Sequence, residues 1–231
     1  MEIFALIVAA GSGQRLGGEM PKQYRQINGK PVLRWTLEAF SNTKKISKIM
    51  LVVNPEHEAW YLEIIKDLPQ VGVVHGGQTR QDSVRNGLEA LMQQADSSNS
   101  SGVLIHDAAR PFVTAKIIDA VILALEQGAR AVDVMVDMPD TLKSKAPPHH
   151  PVDRDSFYAT QTPQAFKLLD ILALHQKYMG HQCTDDVSLA VMVGWDVQLV
   201  AGARCNFKIT TIEDLYFAQI YANLLTVREN A

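Results

Sequence analysis

Short apolar runs and longer amphipathic stretches take turns along nearly the whole chain. A short apolar run bounded by turn residues reads as a buried strand. Apolar positions recurring every three to four residues read as a helix. On that basis strands are predicted at residues 3–8, 49–53, 71–74, 103–106, 131–136, 197–201 and 207–210. Helices are predicted at 32–40, 56–67, 83–94, 115–127, 167–178, 185–193 and 212–225. Thr114, Thr184 (followed by Asp185 and Asp186) and Thr211 (with Asp214 three residues on) stand where helix N-caps are expected. Repeated strand–helix alternation argues for a mostly parallel sheet covered on both faces, a Rossmann-like three-layer α/β sandwich.

Two stretches break the rhythm. Asp96 to Gly102 is a polar run that reads as a solvated connection. Met138 to Pro151 is too long and too rich in proline for an ordinary link, so it is expected to project from the body. Its flanks, Thr141-Leu142-Lys143 and Val152-Asp153-Arg154, can pair, which makes residues 138–154 a candidate β-arm. His149 and His150, set among prolines, read as part of a solvated loop rather than as metal ligands.

Composition narrows the class. At 231 residues with 47% hydrophobic content, the chain is read as one domain over 1–231 with a sizeable core. A net charge of -3 gives no general attraction to nucleic acid or to an anionic membrane, so an anionic ligand needs a local cluster of cations. Cys183 and Cys205 lack metal-type spacing and read as reduced thiols. There is no basic, apolar leader and no run long enough to span a membrane, so a cytoplasmic location is expected.

The candidate chemistry starts where the first strand breaks into Gly11-Ser12-Gly13, followed by Arg15 and Lys22. Glycines let backbone N–H groups approach a ligand, and two cations just beyond suit a polyphosphate. The loop is neither common phosphate motif. Leu16 takes the third glycine position of G-x-G-x-x-G, and Lys22 lies between Pro21 and Gln23 instead of within G-K-[ST]. A plain glycine turn between a strand and a helix is the competing reading. In an open parallel sheet ligands bind beyond the carboxyl ends of the strands. Two further strand ends carry polar groups: His75-Gly76-Gly77 leading to Arg80 and Ser83, and His106-Asp107-Ala108-Ala109-Arg110-Pro111. Asp107 is the candidate Mg²⁺ ligand, beside a phosphate site, with a turn-capping Asp as its alternative. His106 reads as a packed hydrogen-bonding residue. Lys208, embedded in an apolar run, is expected to face the cleft. Cations, one candidate metal carboxylate and no evident nucleophile point to phosphoryl-type transfer by positioning and charge stabilisation.

Taken in order, these motifs resemble those of the 2-C-methyl-D-erythritol 4-phosphate cytidylyltransferases of the non-mevalonate isoprenoid pathway. The resemblance rests on Ala9-Ala10-Gly11-Ser12-Gly13-Gln14-Arg15, Pro21-Lys22-Gln23-Tyr24, Gly76-Gly77 with Arg80-Gln81-Asp82-Ser83, and His106 to Pro111. Asp140-Thr141, Val152-Asp153-Arg154, Thr162-Pro163-Gln164, Thr184-Asp185-Asp186 and Asn206 to Thr210 continue it to the end of the chain. It implies a nucleotidyltransferase-type fold, CTP and a polyol phosphate as substrates, Mg²⁺, and pyrophosphate as a product. By motif position, Arg15, Lys22, Arg154 and Lys208 would be catalytic. Ala9, Ala10, Gly11, Gly13, Gly77, Arg80 and Ser83 would bind CTP. Asp107, Arg110, Thr141, Thr162 and Thr184 would bind the second substrate, with Asp107 also at the metal. The resemblance further implies a homodimer whose arm brings Arg154 to the partner's site.

Three rivals remain. A ribitol 5-phosphate cytidylyltransferase shares the loop, the lysine and the arm. An idle nucleotide-binding regulator is opposed by the complete set Arg15, Lys22, Asp107 and Lys208. A dinucleotide dehydrogenase is opposed by Leu16 and by Val53-Asn54-Pro55, which offers no ribose-binding acid.

Overall fold

The first apolar run becomes β1 (Ile3–Val8), buried on both faces in the middle of the sheet. The architecture is that of a computed structural model describing residues 1–13, 20–95, 101–181 and 183–229. Arg15, Leu16 and most of the polar run from Asp96 therefore lie outside the described residues. After β1 come a small hairpin, β2 (Gln26–Ile27) and β3 (Lys30–Pro31), then helix α1 (Val32–Ser41), β4 (Ile46–Val53), α2 (Glu58–Ile65) and β5 (Val71–His75). The chain continues through α3 (Arg80–Met92), β6 (Gly102–Asp107), α4 (Ala115–Glu126), β7 (Ala131–Asp137) and β8 (Tyr158–Lys167). It closes with α5 (Leu168–Lys177), α6 (Val187–Met192), β9 (Val197–Ala201) and α7 (Ile212–Glu229).

The seven-stranded sheet has the order β5-β4-β1-β6-β8-β7-β9. Every strand runs the same way except β8, which is antiparallel to both β6 and β7. Alternate residues of β1 feed opposite layers, as the period of two demands. Ile3, Ala5 and Ile7 pack with α1, α2 and α4, whereas Phe4 and Leu6 pack with α3, α5 and α6. A third cluster seats Ala218 and Ala222 of α7 against Ile27, Val32, Phe112 and Ile209. The expected three-layer sandwich is what forms, and no helix among the described residues is long and apolar enough to cross a membrane.

Two local expectations need correction, and two elements were not anticipated. Residues 207–210 form no strand; a backbone bond from Ile209 to the Ala109 carbonyl (2.8 Å) ties them to the end of β6. Strand β8 escaped the pattern because Pro163 and two glutamines interrupt its apolar run. Pro163 is accommodated where the β7–β8 register shifts between Val132 and Val134. The β2–β3 hairpin was also missed, although Asn28-Gly29, both at positive φ, is a strong two-residue turn signal. Finally, Thr184 does not cap α6. That helix begins after Asp186, and Asp185 Oδ1 accepts the Ser188 N–H at 3.0 Å.

Thr114 caps α4 as expected, accepting the Ile117 N–H. Asp214 accepts the Thr210 and Thr211 N–H groups at the start of α7. The arm pairs as anticipated: Lys143 bridges Pro151, and the Val152 N–H reaches the Leu142 carbonyl at 3.0 Å. Its residues are largely exposed.

Candidate active site at the carboxyl ends of the strands

A cleft of about 790 Å³ opens where β1, β4, β5 and β6 end. Parallel pairing makes these ends coincide, with Val8 in register with Val52 of β4 and with Asp107 of β6. Each loop that leaves the sheet here therefore delivers side chains to one place.

The wall after β1 is held from behind. Gln23, almost fully buried, donates from Nε2 to the carbonyls of Ala9 (2.7 Å) and Gly11 (2.8 Å). Gly13 takes φ +67, and a Cβ there would stand 2.9 Å from the Lys22 nitrogen, so only glycine fits both the turn and the neighbour. Lys22 opens a short 3₁₀ turn and donates from Nζ to the Ile209 carbonyl at 2.8 Å. That contact ties it to the segment that carries Lys208, and both lysines line the cleft.

The wall after β5 is built on α3. Thr79 caps the helix by accepting the Asp82 N–H, and its own hydroxyl donates to Asp82 Oδ2 at 2.8 Å. Ser83 Oγ accepts the Gly77 N–H (3.0 Å) and donates to the Thr79 carbonyl (2.9 Å). A Cβ on Gly76 would stand 2.5 Å from the Ala10 Cβ, so the two strand ends touch backbone to side chain.

At the end of β6 a directional relay fixes Asp107. The Asp107 N–H donates to Thr162 Oγ1 (3.1 Å), and Thr162 Oγ1 lies 3.0 Å from His106 Nδ1. His106 Nε2 stands 3.1 Å from the Arg110 carbonyl, which can only accept. The proton therefore belongs on Nε2, and Nδ1 accepts from the threonine. Burial pushes the His106 imidazole down to about 4 from an ordinary 6.5. The unfolded chain consequently binds more protons than the fold between those values. Stability from this group is complete above 6.5 and is lost as pH falls toward 4, by about 1.4 kcal/mol per pH unit within the window. Asp133, raised by burial, acts in the opposite sense. Chemical denaturation of the wild type and His106→Gln across this range isolates the histidine, because Asp133 is common to both. Parallel pH profiles would refute the assignment.

The Asp107 side chain is a counter-ion. Oδ2 accepts from Lys208 Nζ at 2.7 Å, and Oδ1 faces Arg80 Nε at 3.4 Å. Burial alone would raise its carboxyl, but the charges of Arg80 and Lys208 carry it well below the usual carboxylate range. Arg80 also reaches Asp186 Oδ2 at 2.8 Å through Nη2.

Ala9, Ala10, Gly11, Gly13, Lys22, Gly77, Arg80, Ser83, Asp107 and Lys208 thus line a single cleft. Others stand apart. Thr162 is buried behind Asp107, where it positions the aspartate from the core side. Arg110 donates to the Asn206 carbonyl (2.8 Å) and toward that of Thr160 (3.4 Å). Thr141 and Thr184 are exposed and lie outside the cleft wall. Arg154, on the arm, donates to the Pro139 carbonyl at 2.9 Å. Sequence reasoning missed Gln23, Asn54, Thr210 and Asp186. Asn54 and Thr210 follow apolar runs and were legible by the rule that found Asp107; Gln23 and Asp186 carry no local signal of their own.

Residues 3–223 match the family model for 2-C-methyl-D-erythritol 4-phosphate cytidylyltransferase, IspD. The enzyme of that name from Neorickettsia sennetsu is 40% identical over 225 residues, covering 94% of this chain and 95% of the relative. A bifunctional enzyme IspD/IspF from Paramagnetospirillum magneticum is 43% identical over 212 residues, and the match covers 91% of this chain but 54% of the relative. The chain thus spans about half the length of such two-part relatives. Among solved structures, 4-diphosphocytidyl-2C-methyl-D-erythritol synthase from Anaerococcus prevotii superposes with a TM-score of 0.83 at 33% identity, covering 96% of each chain. The Thermus thermophilus cytidylyltransferase gives 0.76 at 31% identity, covering 96% of this chain and 100% of that one. With the family model matched over residues 3–223 and a relative 40% identical over 95% of its own length, the chain belongs to the 2-C-methyl-D-erythritol 4-phosphate cytidylyltransferase family.

Proposed function

We propose that this protein transfers the cytidylyl group of CTP to 2-C-methyl-D-erythritol 4-phosphate, releasing pyrophosphate. The observation that carries the reading is the convergence of Lys22, Arg80 and Lys208 on one cleft beside two glycine turns. Family membership supplies the identity of the substrates. A phosphate oxygen of the polyol attacks the α-phosphorus of CTP in line. The new P–O bond forms as the bond from the α-phosphorus to the bridging oxygen breaks, and its electron pair leaves with pyrophosphate. The protein needs no nucleophile of its own; it holds the two anions together and stabilises the charge that builds on the α-phosphate. Arg15 belongs to the same proposal.

Mg²⁺ is proposed as a companion of the triphosphate. The described residues do not fit a metal centre held by the protein: no three His, Cys, Asp or Glu side chains cluster among them. Asp107, the expected ligand, has both oxygens turned to cations. Phosphate oxygens would have to supply most of the coordination, as is usual for this ion, and no step above depends on it.

A pyrophosphate-release assay crossing CTP, UTP and ATP with methylerythritol phosphate and ribitol 5-phosphate tests the reading. Release is expected with CTP and methylerythritol phosphate. Turnover with ribitol 5-phosphate in its place would move the protein to the alternative activity.

The arm is proposed to cross a homodimer and bring Arg154 to the partner's site. Mixing equal amounts of Arg154→Ala and Lys22→Ala subunits is then expected to regenerate intact sites, about a quarter of wild-type activity under random pairing. Exchange verified by mass with no recovered turnover would rule out the shared site.

A further inference from the structure

A line of ionisable side chains runs away from the cleft: Lys208, Asp107, Arg80, Asp186 and His175, each within 3.4 Å of the next. Its far end is unused by the proposed chemistry. The Asp186 side chain is 2% exposed and that of His175 is 1% exposed, whereas Arg80 is 27% exposed and lines the cleft. We propose that Asp186 is a positioning residue that locks the Arg80 guanidinium in the orientation used on the nucleotide phosphates. The proposal rests on the activity assigned above.

Asp186 is tied down from three sides. Fully buried Gln164 accepts the backbone N–H groups of Asp186 (3.0 Å) and Val187 (3.3 Å) through Oε1. The Nε2 of the same glutamine donates to Asp133 Oδ1 and Asp185 Oδ2, both at 2.9 Å. His175 Nε2 stands 3.2 Å from Asp186 Oδ1, leaving Oδ2 for Arg80 Nη2 at 2.8 Å. The backbone that carries the carboxylate is thus fixed, and Arg80 is held between that carboxylate and Asp107. Nη1 has no hydrogen-bond partner among the described residues.

Stability alone does not account for this arrangement. Desolvating a charge pair is costly, and apolar replacements of similar volume often do as well or better. What a buried carboxylate adds is geometry. A flexible arginine loses much rotamer freedom when it grips a phosphate, and a partner that has already fixed its plane removes that cost from the binding and reaction steps. Such pre-organisation acts on turnover, because displacement of a positioned group by about 1 Å can cost around a hundredfold in rate.

The test measures kcat and KM for CTP in Asp186→Asn, Arg80→Ala and the double variant. It also follows the Arg80 Nε–H signal by NMR, assigned by its loss in Arg80→Ala. Asp186→Asn is expected to lower kcat by about tenfold or more, to change KM less, and to broaden or shift the Arg80 signal. In the Arg80→Ala background the same change should cost almost nothing further. Added guanidinium should partly restore Arg80→Ala, but not the double variant. If Asp186→Asn does not fold, Asp186→Glu keeps the charge, displaces it by one methylene and reports the same coupling. Equal losses with and without Arg80 would mean a structural role and overturn the proposal. So would an unchanged Nε–H signal, which is read without substrate. A wild-type protein that releases no pyrophosphate strikes instead at the assigned activity, and the NMR signal still decides the positioning.

Discussion

Lys22→Ala is expected to lose about a hundredfold or more in kcat, roughly 3 kcal/mol of transition-state stabilisation, while KM for CTP rises far less. The asymmetry follows from where the lysine stands. Its Nζ is already anchored on the Ile209 carbonyl, so its charge is placed before substrate arrives. A preorganised cation spends no reorganisation energy as charge moves onto the α-phosphate, and it acts more strongly on the transition state than on the bound nucleotide. Steady-state kinetics with varied CTP at saturating polyol phosphate separate the two effects. Near-wild-type kcat would remove Lys22 from the mechanism. A pure KM effect would make it a passive anchor of the triphosphate.

Asp107→Asn should lose stability as well as turnover, without loss of nucleotide binding. The change keeps the side chain's shape but leaves Lys208 and Arg80 without their shared counter-charge. Breaking a fully buried pair costs about 3–5 kcal/mol. Here the cations are 34% and 27% exposed, so solvent screening reduces the expected loss to about 2 kcal/mol. In a chain of this size that corresponds to a melting temperature lower by about 4–8 °C. Turnover should fall because Lys208 and Arg80 both lose an anchor. KM for CTP should stay level or drop, since the cleft becomes more positive. A Mg²⁺ titration of the same variant tests the metal assignment. An unchanged half-saturating concentration fits an ion carried by the phosphates, whereas a large rise would return Asp107 to the metal.

Much of the site is legible in the sequence, and the reason is topological. Parallel strands end together, so polar residues that directly follow apolar runs converge without further information. Ala10, Gly77, Asp107 and Lys22 were found in this way or through the motifs around them. Thr162 shows the limit of such reasoning. Its motif was recognised, yet the side chain turns into the core and serves Asp107 through a hydrogen bond to its backbone. Nothing in Thr162-Pro163-Gln164 distinguishes a threonine that meets a ligand from one that supports another residue. Asp186 is the converse case. Within the sequence it is one of two adjacent acids, and only Asp186 is paired with Arg80, a residue 106 positions away.

The sequence by itself determined the layered α/β class, the order of nearly all the strands and helices, the projecting arm and the cluster of cations around a glycine loop. These follow from periodicity, cap chemistry and turn residues, all of which act over a few neighbours. Only the tertiary structure decided that β8 runs against its neighbours, that Asp107 serves as a counter-ion, and which of the acids after Thr184 is buried. Those outcomes depend on contacts between distant segments, where burial of a charge is tolerated only if a specific partner meets it. No local pattern can name that partner.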